Sequence, residues 1–592
     1  MNGRKRGKPV AARAKVPATA AVEPRCEGLL VGVGRHTDDD EEALRLAKAV
    51  VGRHLGAGWR VAPLGKGARD FLARPADGRL VPVAQAWEQV EELRRDRDVF
   101  DTEPALIGPG LEPSTTEPGR QLTAREAATP RAAAAAVGGD PPLPCSAGFG
   151  WSLDLCNVQQ AWALTPPAGG KQRGQGIVVG HPDTGFTRHA EIFSPDPAKN
   201  RLLFDQGRNF FEGGNDPLDT LSGKNPGHGT GTASVIMSDA PQSPPASTVF
   251  GVAPLAYLVP LRVTDTVVLF SFSALAEAIY YAAERGFHVI SMSLGGPIKS
   301  KALQRAIRHA IDHGVVVLAA AGNVWPFVVY PARFDEVIAV AACNCQRRVW
   351  RSSAAGSDVD VTAPGESVWV ARAGDKPGPE DDKVARSSGT SHAVATTAGA
   401  CALWLAFHGR DKLTARYGAS RLAAVFKEVL MSKGVTVPAG WDKSRHGAGI
   451  LDVKKLLQAP LPATPPAAGM GIRAAAAALP AAVGALDEFL AYFPGRSRAQ
   501  VRRGLVQFLK TTEADLPANL SRLGDELLFH VATNPQVREA IAGDASPAAR
   551  RPAPGPTTAG RRAAVAVAPA AADARFRRTA SPALQARTAG IG

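Results

Sequence analysis

Apolar and polar positions alternate in two distinct ways over the middle of the chain. Short apolar runs bounded by turn residues are typical of buried strands, and apolar positions three and four apart are typical of helices that cover a sheet. The pattern predicts strands at 175–180, 257–263, 287–293, 315–320 and 337–342, with helices at 273–285 and 301–313. Because strands and helices alternate, we expect a three-layer α/β domain with a parallel central sheet.

Shorter patterned segments flank this region. Residues 28–33, 59–64 and 99–107 have the composition of strands, while 38–55 and 83–93 have helical periodicity, the first of these opening on the acidic run that begins at Asp38. These segments predict a small α+β unit. Near the C-terminus, apolar residues at helical spacing predict a small helical bundle.

Composition sets the boundaries between these units. Stretches rich in Pro, Ala, Gly and Thr predict linkers, and basic Ala/Pro-rich ends predict disorder. The predicted organisation is a basic disordered arm (1–24), an α+β domain (25–107), a linker (108–143), the α/β domain (144–458), an Ala/Pro-rich linker (459–484), a helical module (485–543) and a basic disordered tail (544–592).

Charge adds little to this picture once it is located. Of the formal net charge of +14, residues 1–24 contribute +5 and residues 545–592 contribute +7. Solvated tails are the favoured interpretation, and nucleic-acid binding through them is the alternative, because no reader motif accompanies the charge. Apolar residues make up 45% of the chain, and no run is long enough for a membrane span.

The cysteines and the N-terminus bear on the compartment. Six cysteines in 592 residues are too few for a disulfide framework, so we expect them to be mostly reduced packing residues. The N-terminal segment has the positive charge of a signal peptide but no apolar run after it. Both observations favour a cytoplasmic protein, and secretion by a non-classical route is the alternative.

Candidate chemistry begins at Ser391, which follows Gly389 and Thr390 and opens an apolar run. A serine at a helix N-terminus is most often a cap, but unpaired N–H groups there also stabilise developing negative charge. A nucleophilic serine needs a base and a group that orients the base. His228 and Asp183 stand upstream, each in a Gly-flanked turn, and Asn323 ends a predicted strand where its amide would serve an oxyanion.

The motifs HPDTG, GHGTGTAS, SMSLGG, AAAGN, YPA, APG and SSGTSHA occur in this order between residues 150 and 457. In this respect the chain resembles the subtilisin-like serine peptidases, the subtilases. Subtilisin has its catalytic triad in the same order along the chain, namely Asp, His and Ser. The resemblance implies that Asp183 orients His228, that His228 is the general base and then the general acid, and that Ser391 forms the acyl-enzyme.

The resemblance also implies how a substrate would bind. Asn323 would be the side-chain oxyanion donor, and Ser293, Leu294 and Gly295 would pair with an extended peptide as an added strand. The walls of the primary specificity pocket would include Ala321 and Gly322. The segment between Asn323 and Tyr330 is short for the family, which leaves the size of that pocket open.

No cofactor is required for this chemistry, and no residue is assigned to a metal. Structural calcium is common in the family, but the group Asn215, Asp216 and Asp219 is too sparse to identify a site. His181 and His189, near Asp183, are interpreted as turn residues with satisfied hydrogen bonds.

The flanking domains are interpreted by analogy. The order of elements in 25–107 is similar to that of the β-α-β-β-α-β (ferredoxin-like) propeptides of subtilases, so we favour an inhibitory prodomain over a permanent docking domain. The helical module is interpreted as an adaptor for a protein partner, with an inert appendage as the alternative. The predicted function is a serine endopeptidase, a zymogen capable of autoprocessing, that acts on extended protein segments; the alternative is a non-proteolytic peptide-binding scaffold whose cleft is permanently occupied.

Overall fold

The computed structural model describes residues 24–107, 144–146, 148–239, 249–323, 325–373, 383–464, 481–543 and 569–588 of the 592-residue chain. Three predicted segments lie wholly or mostly outside the described residues: the basic arm (1–24), the linker 108–143 and the linker 459–484.

The N-terminal domain is an antiparallel sheet in the order β2-β3-β1-β4 with two helices. Along β1, Leu29 and Val31 pack under the helices, whereas Leu30 faces the opposite side and joins the core of the next domain. Strand β3 was not predicted, because charged Asp70 and Arg74 interrupt its apolar run. The elements are β1 (Arg25–Val33), α1 (Asp40–Leu55), β2 (Trp59–Pro63), β3 (Asp70–Pro75), α2 (Val83–Leu93) and β4 (Val99–Ile107).

The second domain is built on a nine-stranded sheet in the order β14-β15-β11-β10-β9-β8-β5-β7-β6. All its neighbouring strands run parallel except β14 and β15. The observed bounds agree with the predicted strands to within about three residues. The strands are β5 (Val178–Asp183), β6 (Arg208–Asn209), β7 (Tyr257–Arg262), β8 (Val289–Met292), β9 (Val316–Ala320), β10 (Ile338–Cys343), β11 (Val361–Pro364), β14 (Val435–Thr436) and β15 (Ile450–Leu451), and a separate hairpin is formed by β12 (Val368–Arg372) and β13 (Lys383–Ser387).

Helices cover this sheet, and one of them lies in the core. All residues of α8 except the last are buried, and Gly399 lets it approach Val252, because a Cβ at that position would lie 2.6 Å from the valine Cβ. The helices are α3 (Trp151–Leu155), α4 (Val158–Trp162), α5 (His228–Met237), α6 (Ser273–Glu284), α7 (Lys301–Asp312), α8 (Thr390–His408), α9 (Arg410–Tyr417), α10 (Leu422–Ser432), α11 (Lys443–His446) and α12 (Val453–Gln458).

The C-terminal helical module has an apolar core of its own, which includes Phe489, Leu505 and Leu527. Two helices from the end of the chain complete it, which corrects the prediction of a disordered tail for residues 569–588. The sequence did not predict these helices, because the segment contains few large apolar residues. Two of these, Phe576 and Leu584, are buried in the module. The helices are α13 (Ala481–Leu490), α14 (Arg498–Phe508), α15 (Leu516–Thr533), α16 (Pro535–Ala542), α17 (Pro569–Thr579) and α18 (Pro582–Arg587).

The three domains contact one another. Arg305 on α7 binds Asp70 and Asp101 of the N-terminal domain at 2.6 and 2.8 Å. Arg522 of the helical module binds Glu91 of the N-terminal domain at 2.7 Å. The module also contacts the second domain, so each of the three domains touches both of the others.

Cys145 and Cys345 form a disulfide bond with their Cα atoms 5.8 Å apart. This corrects the expectation for these two cysteines: they are 200 residues apart in sequence, and only the fold brings them together. The other four cysteines are free and buried. None of the helices in the described ranges is both long and apolar enough to cross a bilayer.

Candidate active site

Asp183 is the last residue of β5 and is completely buried. Its Oδ1 accepts hydrogen bonds from the Thr184 N–H at 2.7 Å and from Nδ1 of His228 at 2.7 Å. Burial acts to raise the pKa of Asp183, but the charge and hydrogen bond of His228 outweigh burial and hold that pKa below its usual value. Asp183 is therefore a carboxylate that holds one nitrogen of His228.

His228 is the first residue of α5 and follows Gly227, which has a φ of 70°. This left-handed conformation suits glycine and turns the chain sharply into the helix. The His228 side chain is 11% exposed and lines the neighbouring recess.

Asp219 ties the turns that carry these two residues together. Its Oδ2 accepts hydrogen bonds from the Gly227 N–H at 2.7 Å and from the Thr184 hydroxyl at 3.3 Å, and its Oδ1 accepts one from Leu221 N–H at 2.8 Å. The sequence suggested Asp219 only as a sparse cation ligand. Within the described residues, no group of three or more His, Cys, Asp or Glu side chains is arranged to hold a metal ion.

Ser391 is the second residue of α8, so its N–H is one of the helix donors without an intrahelical acceptor. Its hydroxyl donates to the Ser293 carbonyl at 3.1 Å, and the Ser293 hydroxyl donates back to the Ser391 carbonyl at 3.0 Å. Ser391 and His228 line the same recess. Transfer of the Ser391 proton to His228 would require the hydroxyl to rotate away from Ser293.

Asn323 follows β9 and borders the recess. Its Oδ1 accepts from the Thr390 N–H at 2.9 Å and from the Thr390 hydroxyl at 2.8 Å. With the oxygen held on that side, the amide Nδ2 is left for other partners, and it lies 3.5 Å from where a Cβ of Gly389 would be. Sequence reasoning missed Thr390 as the residue that orients this amide.

The recess brings together most of the predicted residues. Two predicted residues do not line it. Ala321 is fully buried, and its N–H and carbonyl are bonded to Val340 and Val329, so its neighbours Ala320 and Gly322 form the wall instead. Asp183 is also fully buried and is connected to the recess only through His228. The lining residues are Asn225, His228, Val267, Val268, Ser293, Leu294, Gly295, Ala320, Gly322, Asn323, Trp325, Val329 and Ser387 to His392.

The predicted strand-pairing edge at Gly295 is already paired. The Gly295 N–H donates to the Val267 carbonyl at 3.0 Å, and the Leu269 N–H donates to the Gly295 carbonyl at 2.8 Å. Asn225 holds the same segment, because its Oδ1 accepts from the Val267 N–H at 2.9 Å. A substrate strand can pair with Gly295 only after the segment Val267–Leu269 moves away.

Three other histidines near the site are neutral. Burial lowers the pKa of His181 and of His189 to about 4, and burial with the nearby charge of His228 lowers that of His392 to about 3. His181 bonds the Thr232 hydroxyl at 2.9 Å, and His189 bonds the Lys383 carbonyl at 2.9 Å. His228 both bonds to Asp183 and lines the recess with Ser391.

Comparison with known proteins shows the family of this chain. The model of the subtilase family matches residues 174–442. An intracellular serine protease of Paenibacillus polymyxa is 33% identical over 244 residues, which are 40% of this chain and 69% of that protein. The chain belongs to the subtilase family.

Two further proteins are similar to this chain. Thermitase from Thermoactinomyces vulgaris is 37% identical over 186 residues, which cover 31% of this chain and 63% of thermitase. Fervidolysin from Fervidobacterium pennivorans has the same fold, with a TM-score of 0.50 and 21% identity over 76% of this chain and 63% of fervidolysin. As a subtilase, the chain is a subtilisin-like serine protease, and the matched segment lies within the second domain.

Proposed function

We propose that this subtilase is an endopeptidase that cleaves extended or unfolded protein segments through an acyl-enzyme. In this proposal Ser391 attacks the peptide carbonyl, His228 takes its proton and returns it to the leaving amine, and Asp183 orients His228. Asn323 Nδ2 and the Ser391 N–H stabilise the oxyanion. The supporting observation is the 2.7 Å bond between His228 and Asp183 beside a recess that also holds Ser391 and Asn323.

The test is covalent labelling of the full chain by a fluorophosphonate, read by intact mass. We expect one adduct on the wild type and none on Ser391→Ala. Ser388→Ala is the matched control, because Ser388 lines the same recess and should leave labelling unchanged. Absence of an adduct on the wild type would contradict the proposed mechanism.

We further propose that the N-terminal domain inhibits the protease. Its support is position: Glu103 on β4 binds Ser300 and the Lys301 N–H at the start of α7, and Glu27 on β1 binds Ser273 at the start of α6 at 2.6 Å. Helix α6 begins five residues after Val268 and α7 begins six residues after Gly295, and Val268 and Gly295 line the recess. Mass spectrometry of the wild type and Ser391→Ala, each incubated alone, tests this proposal: we expect loss of an N-terminal fragment by cleavage between 105 and 145 in the wild type only.

The pairing of Gly295 with Val267 and Leu269 favours a second candidate, a scaffold whose cleft is permanently occupied. The two candidates differ in one result. A scaffold would leave a denatured protein intact even after its N-terminal domain is removed, whereas a zymogen would then digest it.

The compartment is also a proposal. Disulfides persist where thiols are oxidised, so the Cys145–Cys345 bond favours the alternative of secretion over the cytoplasmic expectation. Non-reducing mass analysis of protein from its native source would test this: a mass lower by two hydrogens supports an oxidising compartment.

A further inference from the structure

The recess beside Ser391 has two walls and a floor. One wall is the extended segment Ser293–Gly295, and the other runs from Ala320 to Asn323. A peptide whose carbonyl lies between Ser391 and Asn323 would direct the side chain just before the scissile bond between these walls. What stands between them therefore sets the size of side chain that fits.

Val329 stands between the walls. Its N–H donates to the Ala321 carbonyl at 3.0 Å, and the next residue, Tyr330, exchanges two hydrogen bonds of 2.8 Å with Gly296. The segment is thus bonded to both walls, which fixes where the Val329 side chain lies.

The methyl groups of Val329 reach both walls. A Cβ built on Gly295 would lie 3.0 Å from Val329 Cγ2, and one built on Gly322 would lie 3.2 and 3.3 Å from Cγ1 and Cγ2. Val329 is only 4% exposed. Because both glycines of the walls face these methyls at contact distance, little depth is left for a large side chain.

The helical module packs against the segment that carries Val329 and limits its movement away from the recess. Glu488 accepts hydrogen bonds from the Tyr330 hydroxyl at 2.7 Å and from Arg333 at 2.9 Å. Tyr492 packs on Phe327 with ring centroids 4.8 Å apart. Val329 and Phe327 belong to the same apolar cluster as the module core, so the floor of the recess is supported from behind.

We propose that Val329 restricts cleavage to peptide bonds that follow a small residue, namely Gly, Ala or Ser. This inference rests on the proposed function and names the substrate class of the same site. A phenylalanine or leucine in that place would overlap the Val329 methyls, and moving them would require displacement of the helical module.

The test uses p-nitrophenyl esters of N-acetyl-alanine and N-acetyl-phenylalanine with the full chain, and Ser391→Ala is the blank. A single-residue ester needs the recess but no pairing with Gly295, so the segment Val267–Leu269 does not decide the result. We expect kcat/KM for the alanine ester to exceed that for the phenylalanine ester at least about tenfold. Val329→Gly should reduce this preference at least about tenfold.

Val328→Ala is the matched control. Val328 is equally buried but packs in the core of the second domain, so the variant loses methyl groups without enlarging the recess. It should keep the wild-type preference. Val329→Ala, which retains a Cβ, should show the same direction of change as Val329→Gly if the glycine variant folds poorly.

The outcomes separate the inference from the proposed function. If the wild type forms the fluorophosphonate adduct but prefers the phenylalanine ester, hydrolyses neither ester, or keeps its preference in both Val329 variants, the inference is wrong and the proposed nucleophile stands. If no adduct forms and neither ester is hydrolysed above the blank, the proposed function fails first.

Discussion

The hydroxyl of Ser391 is bonded to Ser293 rather than to a catalytic base, so reactivity depends on small rearrangements around groups already in place. Side chains that are hydrogen-bonded to the backbone should keep their positions during this rearrangement. Asn323 is one of them, since its oxygen accepts two hydrogen bonds from Thr390, and we propose that its nitrogen binds the oxyanion.

We therefore expect Asn323→Ala to lower kcat about 100- to 1,000-fold with little change in KM, because the lost hydrogen bond forms only in the transition state. Thr390→Val, which keeps the Thr390 N–H and loses only its hydroxyl, should lower kcat less. Steady-state kinetics on one peptide substrate measures both. An Asn323→Ala enzyme within threefold of the wild type would contradict the assignment.

Asp219 carries the second prediction at this scale. Asp219→Ala would leave the buried N–H of Gly227 without its acceptor, which costs about 1–3 kcal/mol in the free energy of unfolding. It should also lower kcat, because the turns that contain Thr184 and Gly227 would no longer be hydrogen-bonded to the same carboxylate. Denaturant unfolding and kinetics test both effects, with exposed Asp216→Ala as the control, which should be near neutral.

The sequence predicted Asp183, His228, Ser391 and Asn323 as site residues because each occupies a Gly-flanked turn or strand end within a motif. It did not reveal the roles of Thr390, Asp219 or Val329. Their importance comes from which atoms they touch across the fold, and residue type alone carries no signal of that.

Among the elements, the segment Val267–Leu269 is paired with Gly295, where we expect a peptide substrate to pair. The next residue, Phe270, is buried in the core of the N-terminal domain, with its ring 6.4 Å from that of Phe529 in the helical module. Both flanking domains thus help to hold this segment against Gly295.

Phe270→Ala should weaken the packing that keeps Val267–Leu269 against Gly295. We expect the full-length variant to digest a denatured protein several-fold faster than the wild type. Phe529→Ala removes the same contact from the other side and should act in the same direction. Phe508→Ala, which packs on Phe576 inside the module, is the control and should not raise activity. Unchanged digestion by Phe270→Ala and Phe529→Ala, with normal fluorophosphonate labelling, would show that the segment is no barrier.

Elements were predictable where one pattern dominated. The parallel strands are continuous apolar runs, and α7 has a clear apolar stripe. Strand β3 escaped notice because its buried Asp70 is neutralised by Arg305 of another domain. Helices α17 and α18 escaped because their order depends on distant contacts, such as the hydrogen bonds from Ser581 to Glu526.

At the scale of the whole molecule, we expect the contact between the N-terminal domain and α7 to be sensitive to pH. Burial, with the charge of Asp101, raises the pKa of Glu103 from 4.5 to about 7, against the hydrogen bonds from Ser300 and Lys301 and the charge of Arg305. Because the pKa of Glu103 is higher in the assembled domains, protonated Glu103 stabilises their contact at low pH. This stabilisation decreases as the pH rises from 4.5 to 7 and is fully lost above pH 7. Burial raises the pKa of Asp70 at the same contact, which has the same sign.

We therefore expect latency to be tighter at pH 5 than at pH 8. The measurement is the rate at which the wild type digests a denatured protein divided by the rate for Glu103→Gln, a ratio that removes the pH dependence of the catalytic residues themselves. This ratio should rise between pH 5 and 7 and then level off. Glu92→Gln, at an exposed position, is the control and should give a flat ratio.

The disulfide has a practical consequence for following cleavage. A backbone cut anywhere between Cys145 and Cys345 leaves two fragments that stay covalently joined, so such a nick becomes visible on a gel only after reduction. A cut between 108 and 143 frees the N-terminal fragment with or without reductant, since its Cys26 is a free thiol. Running each sample in both conditions therefore distinguishes maturation from internal autolysis.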